Sequence, residues 1–522
     1  MRHSRPSTLL LHAVLWLCAL AAGPYTIGAA TAPDIEALDR YIEQARAEWK
    51  VPGLAVAIVK DGEVIHARGY GEREIGSRDQ VDADTLFAIA SNTKAFTAAA
   101  LAVLVDEGKL HWDDRVVDHL PYFQLYDPYV TSEMRVRDLL CHRSGLGTYS
   151  GDLIWWGTSY SAEEVVRRAR FLPPAGPFRA HYGYSNIMFI AAGEIVEKRS
   201  GLPYGEFLET RFFGPLEMRR TVTSVSMLPA TDNVATPHGE VKGEIVAFPW
   251  QAWDNSVAAG GLLSSVADMS RWIELQLRRG ELDNGSRLFS PAASSTMWSA
   301  HTPIQISERS KRRYPSTHFR AYGLGWVLMD FHGRRVIGHG GGYDGMISRV
   351  AMVPEENLGI VVLSNSMTGL PTALTYRILD AFLGDELRDW SATALVAQNQ
   401  RRKRNKVRVD RAELERVEGT RPSLGLERYA GLYGSEMYGQ VVVTNDDGLQ
   451  LRFLPNPDLA GTLRHLHYDT FVIEWNRPFP FFGKGTVQFL LDSTARVSEM
   501  KIDIPNDDLW FNELALLRES PD

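Results

Sequence analysis

Apolar and polar residues change their spacing three times along the chain. Between residues 34 and 50 the apolar positions Ile35, Leu38, Ile42 and Ala45 recur at helical spacing. Residues 54–59 then form a continuous apolar run of strand length, followed by an Asp61-Gly62 turn and the returning segment 64–67, which predicts a β-hairpin. The middle of the chain predicts helices over 95–107, 161–170, 187–200 and 265–279, with Ser161 at an N-cap and Glu164 three residues on. Strand spacing returns over 325–330, 335–338, 346–353 and 358–364, and a helix over 371–387 closes this part. The pattern predicts an α/β (α+β) fold. An antiparallel sheet from the early hairpin and the late strands is flanked by helices, and a mainly helical inserted domain packs against it.

Beyond this region the character shifts. Residues 388–427 hold the basic run Arg401-Arg402-Lys403-Arg404 and read as a solvated linker. Residues 428–522 alternate strand and turn signals without a strong helical pattern, which predicts a small all-β barrel or sandwich. At the other end, Arg2 and Arg5 precede an apolar stretch over 9–22 and small residues at 28–30. Residues 1–30 thus read as a signal peptide, giving an exported, periplasmic or secreted protein with no stable membrane span after cleavage.

Composition narrows the partners. The 522 residues carry a net charge of −8, without the basic surplus of a nucleic-acid-binding protein. Of the two cysteines, Cys18 leaves with the leader, so Cys141, in an apolar flank, is expected as a small buried residue and no disulfide forms.

Three short motifs carry candidate chemistry. Ser91 and Lys94 stand three apart at the start of an apolar helix, where they share a face. The helix N-terminus favours developing negative charge, and a desolvated lysine has a lowered pKa and can take the serine proton. Tyr184-Ser185-Asn186 follows a proline-rich loop. There a tyrosine with cationic neighbours is expected to be held as a phenolate base, and an asparagine offers a donor and an acceptor to an amide. His339-Gly340-Gly341-Gly342 ends a predicted strand, and its glycines allow close backbone approach and an oxyanion donor. His465, His467 and Asp469 have metal-like alternation, but the plainer reading is polar residues on the solvent side of a strand.

In this order, Ser91-x-x-Lys94, Tyr184-x-Asn186 and His339-Gly340-Gly341 resemble the penicillin-recognising serine hydrolases: class C β-lactamases, D,D-peptidases and their esterase relatives. Segments 139–146, 259–265, 322–326 and 353–365 add to the likeness, which spans residues 35–387, and the C-terminal part resembles a lipocalin-like β-domain attached to some peptidase members. The resemblance implies that Ser91 attacks an acyl carbon and that Lys94 and Tyr184 move the proton. It also implies that Asn186 holds the substrate amide and that the N–H groups of Ser91 and Gly342 form an oxyanion hole. No metal or cofactor is required. Where β-lactamases carry Lys-Thr-Gly, this chain has His339-Gly340-Gly341, which removes a fixed cation and a hydroxyl suited to a substrate carboxylate and leaves a group whose charge depends on pH. The expected substrates are therefore D-amino-acid-containing peptides or carboxylic esters, with a β-lactamase, or a non-catalytic sensor of peptidoglycan fragments or penicillins, as alternatives. The C-terminal domain is expected to cap the groove or to join copies into a homo-oligomer.

Overall fold

The computed structural model describes residues 33–230, 232–384 and 387–519. The leader, its cleavage site and Cys18 lie outside the described residues.

Helix α1 (Ile35–Trp49) is capped by Asp34, whose carboxylate accepts the Ala37 N–H. It leads into the hairpin of β1 (Gly53–Lys60) and β2 (Glu63–Gly71). The inserted region is built around α2 (Thr93–Asp106), α3 (Asn186–Ser200) and α4 (Val266–Leu277). Six later strands follow: β3 (Thr302–Pro303), β4 (Arg320–Tyr322), β5 (Val327–Phe331), β6 (Arg334–Tyr343), β7 (Met346–Val353) and β8 (Leu358–Ser364). Together with the hairpin they make one antiparallel sheet, ordered β2-β1-β8-β7-β6-β5-β4-β3. The N-terminal hairpin therefore pairs with the last strand, across the whole insertion.

The continuous apolar run of β1 is explained by its central place. Leu54, Val56 and Ile58 pack beneath Leu38, Ile42 and Trp49 of α1, while Ala55, Ala57 and Val59 face the helical domain. With both faces covered, no position in the strand is left for a polar residue. Helix α2 is buried from Thr93 to Leu104, so its lysine at position 94 lies inside the protein.

Two expectations are corrected. Residues 388–427 are not a plain linker: α5 (Leu370–Leu383) is followed by α6 (Trp390–Leu414), a 25-residue helix that contains the basic run. The segment has no glycine or proline from 390 to 418 and is rich in helix formers, so propensity carries it despite its charge. Arg402 pairs with Glu240 of the first domain, and Arg401 and Arg408 with Asp507 of the second, which makes the helix a strut between them. The strand expected over 335–338 also does not stop at Gly338. It runs through all the glycines to Tyr343, because β7 continues to pair with it up to Met346.

The C-terminal strands β9 (Gly431–Ser435), β10 (Gly439–Asn445), β11 (Leu449–Phe453), β12 (Ala460–His467), β13 (Thr470–Trp475), β14 (Gly485–Leu491), β15 (Val497–Asp503) and β16 (Leu516–Arg518) form a closed barrel in which each strand pairs with its sequence neighbours. Tyr429, Tyr433, Phe453, Phe471 and Phe489 are buried in its interior. The barrel packs on the first domain through Trp156, whose ring meets Phe479 and Phe482 edge-on at 5.8 and 5.7 Å. His465, His467 and Asp469 are engaged separately: His465 meets the Tyr468 carbonyl, while His467 and Asp469 accept the Val417 and Ser423 N–H groups.

Candidate active site

Ser91 sits in a tight turn (Ala90–Asn92) that runs directly into α2. The turn is held from below. Asn92 donates to Ser348 of β7 at 2.7 Å, and the Ser348 hydroxyl donates to the Ile89 carbonyl at 2.6 Å. Ala90 is forced to φ 46°, in the left-handed region that a residue with a Cβ avoids. Such strain persists only where surrounding contacts over-determine it, and here it aims the next residue out of the helix.

Lys94 lies one turn on and is fully buried. Its Nζ is 3.0 Å from Ser91 Oγ, 2.7 Å from Asn186 Oδ1 and 2.6 Å from the Ala259 carbonyl. As an ammonium it donates to all three. As an amine it donates to Asn186 and Ala259 and turns its lone pair to the Ser91 hydroxyl. Burial, opposed by the Asp152 carboxyl, lowers the Lys94 pKa to about 7. The same burial raises Asp152 to about 7, against the hydrogen bonds of Trp155 and Asn186. Asn186 links the two, since its Nδ2 donates to Asp152 at 2.7 Å. One Oδ1 lone pair and one Nδ2 hydrogen of Asn186 are thus engaged within the protein, so it positions Lys94 against Asp152.

Tyr184 is placed by the loop over 142–149. Its N–H donates to Thr148 Oγ1 at 3.2 Å, its carbonyl accepts the Tyr149 N–H at 2.8 Å, and the next N–H, of Ser185, donates to His142 Nδ1 at 3.1 Å. The His142 ring lies 4.0 Å from the Tyr184 ring, centroid to centroid. The Tyr184 hydroxyl is a hydrogen-bond partner of Ser91. Here the expectation of a phenolate fails. Burial pushes Tyr184 well above the ordinary tyrosine value, with the Ser91 hydrogen bond only partly opposing it. Lys94 Nζ lies 4.9 Å from the ring centroid, over the ring face. The phenol therefore keeps its proton, and of the two groups beside Ser91 it is Lys94 that deprotonates more readily.

The third wall is β6. Its other neighbour, β5, pairs only as far as Gly338, so one edge of residues 339–343 is free. The two-residue turns at His332-Gly333 and Asp344-Gly345 fix which residues bond to which neighbour, and that alternation directs the N–H groups of Gly340 and Gly342 to the free edge. Gly341 lies against the nucleophile turn, where a Cβ would come within 2.3 Å of the Ile89 carbonyl and 2.9 Å of Ala90. The Ser91 N–H belongs to the first turn of the helix, where N–H groups have no intrahelical acceptor. His339 is buried and fully engaged. Its Nε2 is 2.7 Å from the Tyr322 hydroxyl and its Nδ1 2.6 Å from the Gly340 carbonyl. Burial, with Lys94 nearby, lowers its pKa to about 3, so it is neutral at physiological pH and the expected pH-dependent charge is absent. Its neutral form donates from Nδ1 and accepts at Nε2.

Sequence motifs did not reveal Asp152, His142 or the Ala259 carbonyl as parts of the site. Asp152 is a lone acid beside Trp155, with no spacing to mark it. His142 and Ala259 lie in segments noted for family likeness, but their roles depend on long-range contacts. Cys141 is buried as expected, and burial pushes its thiol up to about 12.

Asp138 anchors the loop that carries His142. It is fully buried and receives Arg143 Nε at 2.6 Å and Arg179 Nη2 at 2.7 Å. Asp138→Ala leaves two guanidinium groups without their partner and should cost about 3 kcal/mol, the low end for a broken buried pair because Arg179 is partly solvated. Chemical denaturation checks this, and an unchanged midpoint would show that the clamp contributes nothing.

A serine, a lysine and a tyrosine converge on one small space beside a free strand edge, within an antiparallel sheet flanked by helices. Fold and site together define a penicillin-binding-like hydrolase. The chain belongs to the Beta-lactamase family, which matches residues 38–384. A domain of unknown function (DUF3471) matches residues 415–516. The unguisins hydrolase ungD of Aspergillus violaceofuscus is 30% identical over 438 residues, covering 78% of this chain and 76% of that protein. Among solved structures, the octameric penicillin-binding protein homologue from Pyrococcus abyssi superposes with a TM-score of 0.61 at 23% identity, over 93% of this chain and all of that one. A D-stereospecific amidohydrolase from Streptomyces sp. gives a TM-score of 0.53 at 25% identity, over 68% of this chain and 100% of that one.

Proposed function

We propose that this protein cleaves amide or ester bonds through an acyl-enzyme on Ser91, with peptides containing D-amino acids or carboxylic esters as substrates. The observation that carries the reading is the buried Lys94 amine 3.0 Å from Ser91 Oγ. With a pKa near 7 it is substantially neutral at physiological pH, and its lone pair then accepts the Ser91 proton as Oγ attacks the acyl carbon. The N–H groups of Ser91 and Gly342 receive the charge developing on the carbonyl oxygen. Tyr184 donates its hydroxyl proton to the departing nitrogen or oxygen and is reprotonated by the Lys94 ammonium, which returns to the amine before water enters. Water then attacks the ester on Ser91, with Lys94 again as base, and frees the acid. The similarity to a hydrolase and a D-stereospecific amidohydrolase supports the amide reading. A neutral, fully bonded His339 disfavours the β-lactamase alternative, because the third motif offers no cation to a carboxylate.

The barrel reaches the segment that carries Asp152. Glu513 accepts the Gly151 N–H at 2.8 Å, one residue from Asp152. The apolar leader supports export, and among the described residues no helix is long and apolar enough to cross a membrane.

A fluorophosphonate ester tests the central claim. Intact-mass measurement should show one adduct, mapped to Ser91 by peptide sequencing, and none on Ser91→Ala. Failure to label, or equal labelling of the variant, would leave only the sensor reading.

A further inference from the structure

The segment that carries Asp152 is fastened to the barrel on both sides. On one side Glu513 accepts the Gly151 N–H at 2.8 Å and bonds to the Ser150 hydroxyl. On the other, Asn456 donates to the Trp156 carbonyl at 3.1 Å, and the Pro455 carbonyl accepts the Ser159 N–H at 3.0 Å. Between these contacts lies a single helical turn, Asp152–Trp155. The chain ahead of it is strained. Tyr149 takes φ 64° and Gly151 φ 78°, and a Cβ on Gly151 would come within 2.5 Å of Leu172 Cδ1. A tyrosine stays in the left-handed region only where its surroundings hold it there. Inside the first domain the Tyr149 N–H is held by the Tyr184 carbonyl at 2.8 Å, and the Tyr149 carbonyl by the Asp152 N–H at 3.1 Å. The Gly151 N–H finds its acceptor, Glu513, in the other domain.

Glu513 is itself firmly placed. It ends a short turn (Phe511–Glu513) and is flanked by Phe511 and Leu514, both buried in the barrel. The Phe511 ring lies 5.2 Å from that of Phe482, one of the two rings that meet Trp156. The loop before it is braced by Asn506, which donates to the carbonyls of Ile504 and Leu509 at 2.8 and 2.7 Å. A carboxylate on so fixed a support sets the position of the backbone it holds. From there the contacts run unbroken to the nucleophile. Asp152 accepts from Trp155 Nε1 at 2.9 Å and from Asn186 Nδ2 at 2.7 Å. Asn186 Oδ1 accepts from Lys94 Nζ at 2.7 Å, and that nitrogen is 3.0 Å from Ser91 Oγ.

We propose that Glu513 of the barrel is a positioning residue for the Ser91 site, holding Asp152 in place and, through Asn186, the Lys94 amine against the nucleophile. This rests on the Ser91 hydrolase reading and extends it to the barrel, which becomes part of the catalytic unit. The charges are linked along the same route. Asp152 is acted on by Lys94 and Glu513, and it acts in turn on Tyr149 and Tyr184, whose phenols keep their protons. Lys94 also faces His142 and His339, both held neutral by burial. An ionised Glu513 opposes the charge on Asp152, and a charged Asp152 favours the Lys94 ammonium.

The test measures kcat and KM for p-nitrophenyl acetate across pH, on the full chain and on Glu513→Ala, Glu513→Gln, Asp152→Asn and the double variant Glu513→Gln/Asp152→Asn. Glu513→Ala should lower kcat about 10- to 100-fold with KM little changed, the scale of a small displacement of catalytic groups. Glu513→Gln keeps an oxygen for the Gly151 N–H and should restore most of kcat. Because it removes the charge that opposes Asp152, it should move the acid limb of kcat/KM to higher pH. Asp152→Asn should move that limb to lower pH, and beside it Glu513→Gln should move the limb no further. Unchanged kcat in Glu513→Ala, a fixed limb in Glu513→Gln, or a Glu513→Gln shift that persists in the double variant would overturn the proposal. Hydrogen exchange reads the positioning without catalysis. Amides 147–156 should exchange about 10-fold faster in Glu513→Ala, the equivalent of one lost hydrogen bond to a charged group, and at the original rate in Glu513→Gln. If the unmodified protein turns over no ester, the hydrolase reading is what has failed. The exchange then still decides whether Glu513 holds the segment, and equal rates in all three proteins would sink that claim.

Discussion

Ser91→Ala is expected to lower kcat/KM by about 10⁴- to 10⁶-fold, and Lys94→Met by nearly as much, with the double variant no worse than either alone. The two residues act as a unit. Without the amine the hydroxyl has no acceptor for its proton, and without the hydroxyl the amine has nothing to activate. Steady-state kinetics on one good ester measure this, and multiplicative losses would show that Lys94 acts elsewhere. The pH profile carries the same information. Because burial lowers the Lys94 pKa to about 7, kcat/KM should rise with pH through about 7 and then level off. The sign for stability follows from linkage. Between the folded value near 7 and the ordinary 10.5, the unfolded chain holds a proton on Lys94 that the folded chain does not. The Lys94 contribution to stability therefore rises with pH across that window and is smallest below it. Lys94→Met removes that slope, which urea titrations at a series of pH values would detect.

Tyr184→Phe is expected to lower kcat about 10²- to 10³-fold with little change in KM, the usual range for losing a positioned acid. The phenol keeps its proton because burial holds it well above the ordinary value. Its role is to donate, so the deficit should be largest for poor leaving groups such as amides and smallest for activated esters. The unmodified protein should show no alkaline fall from Tyr184 up to pH 10. A loss independent of leaving group, or activity that requires an ionised tyrosine, would reverse the assignment of acid and base.

The different outcomes for Lys94 and Tyr184 show which inferences survive from sequence. Lys94 precedes a run of apolar residues, so its desolvation was legible from its neighbours along one helix. Tyr184 owes its protonation to burial, with Tyr149, Tyr182 and Asp152 adding to it, and burial by distant segments is not a local property. Asn186 was expected, from its place in the motif, to hold a substrate amide. Its motif identifies an amide, while only the fold shows that amide held between Lys94 and Asp152.

By itself the sequence determined the continuous strands, the buried helix with Ser91 and Lys94 on one face, the glycine segment beside them and an all-β C-terminal domain. These follow from local periodicity and backbone freedom, which act over a few residues. Tertiary structure alone decided the protonation of Tyr184 and His339, the bridging of Lys94 and Asp152 by Asn186, and the recruitment of Asp152. Each of these depends on which distant groups exclude water or supply charge, and that is set by packing between segments far apart in the chain. The basic run of α6 shows the reverse limit. Its charge suggested a linker, while helix propensity and carboxylates from both domains made it a strut.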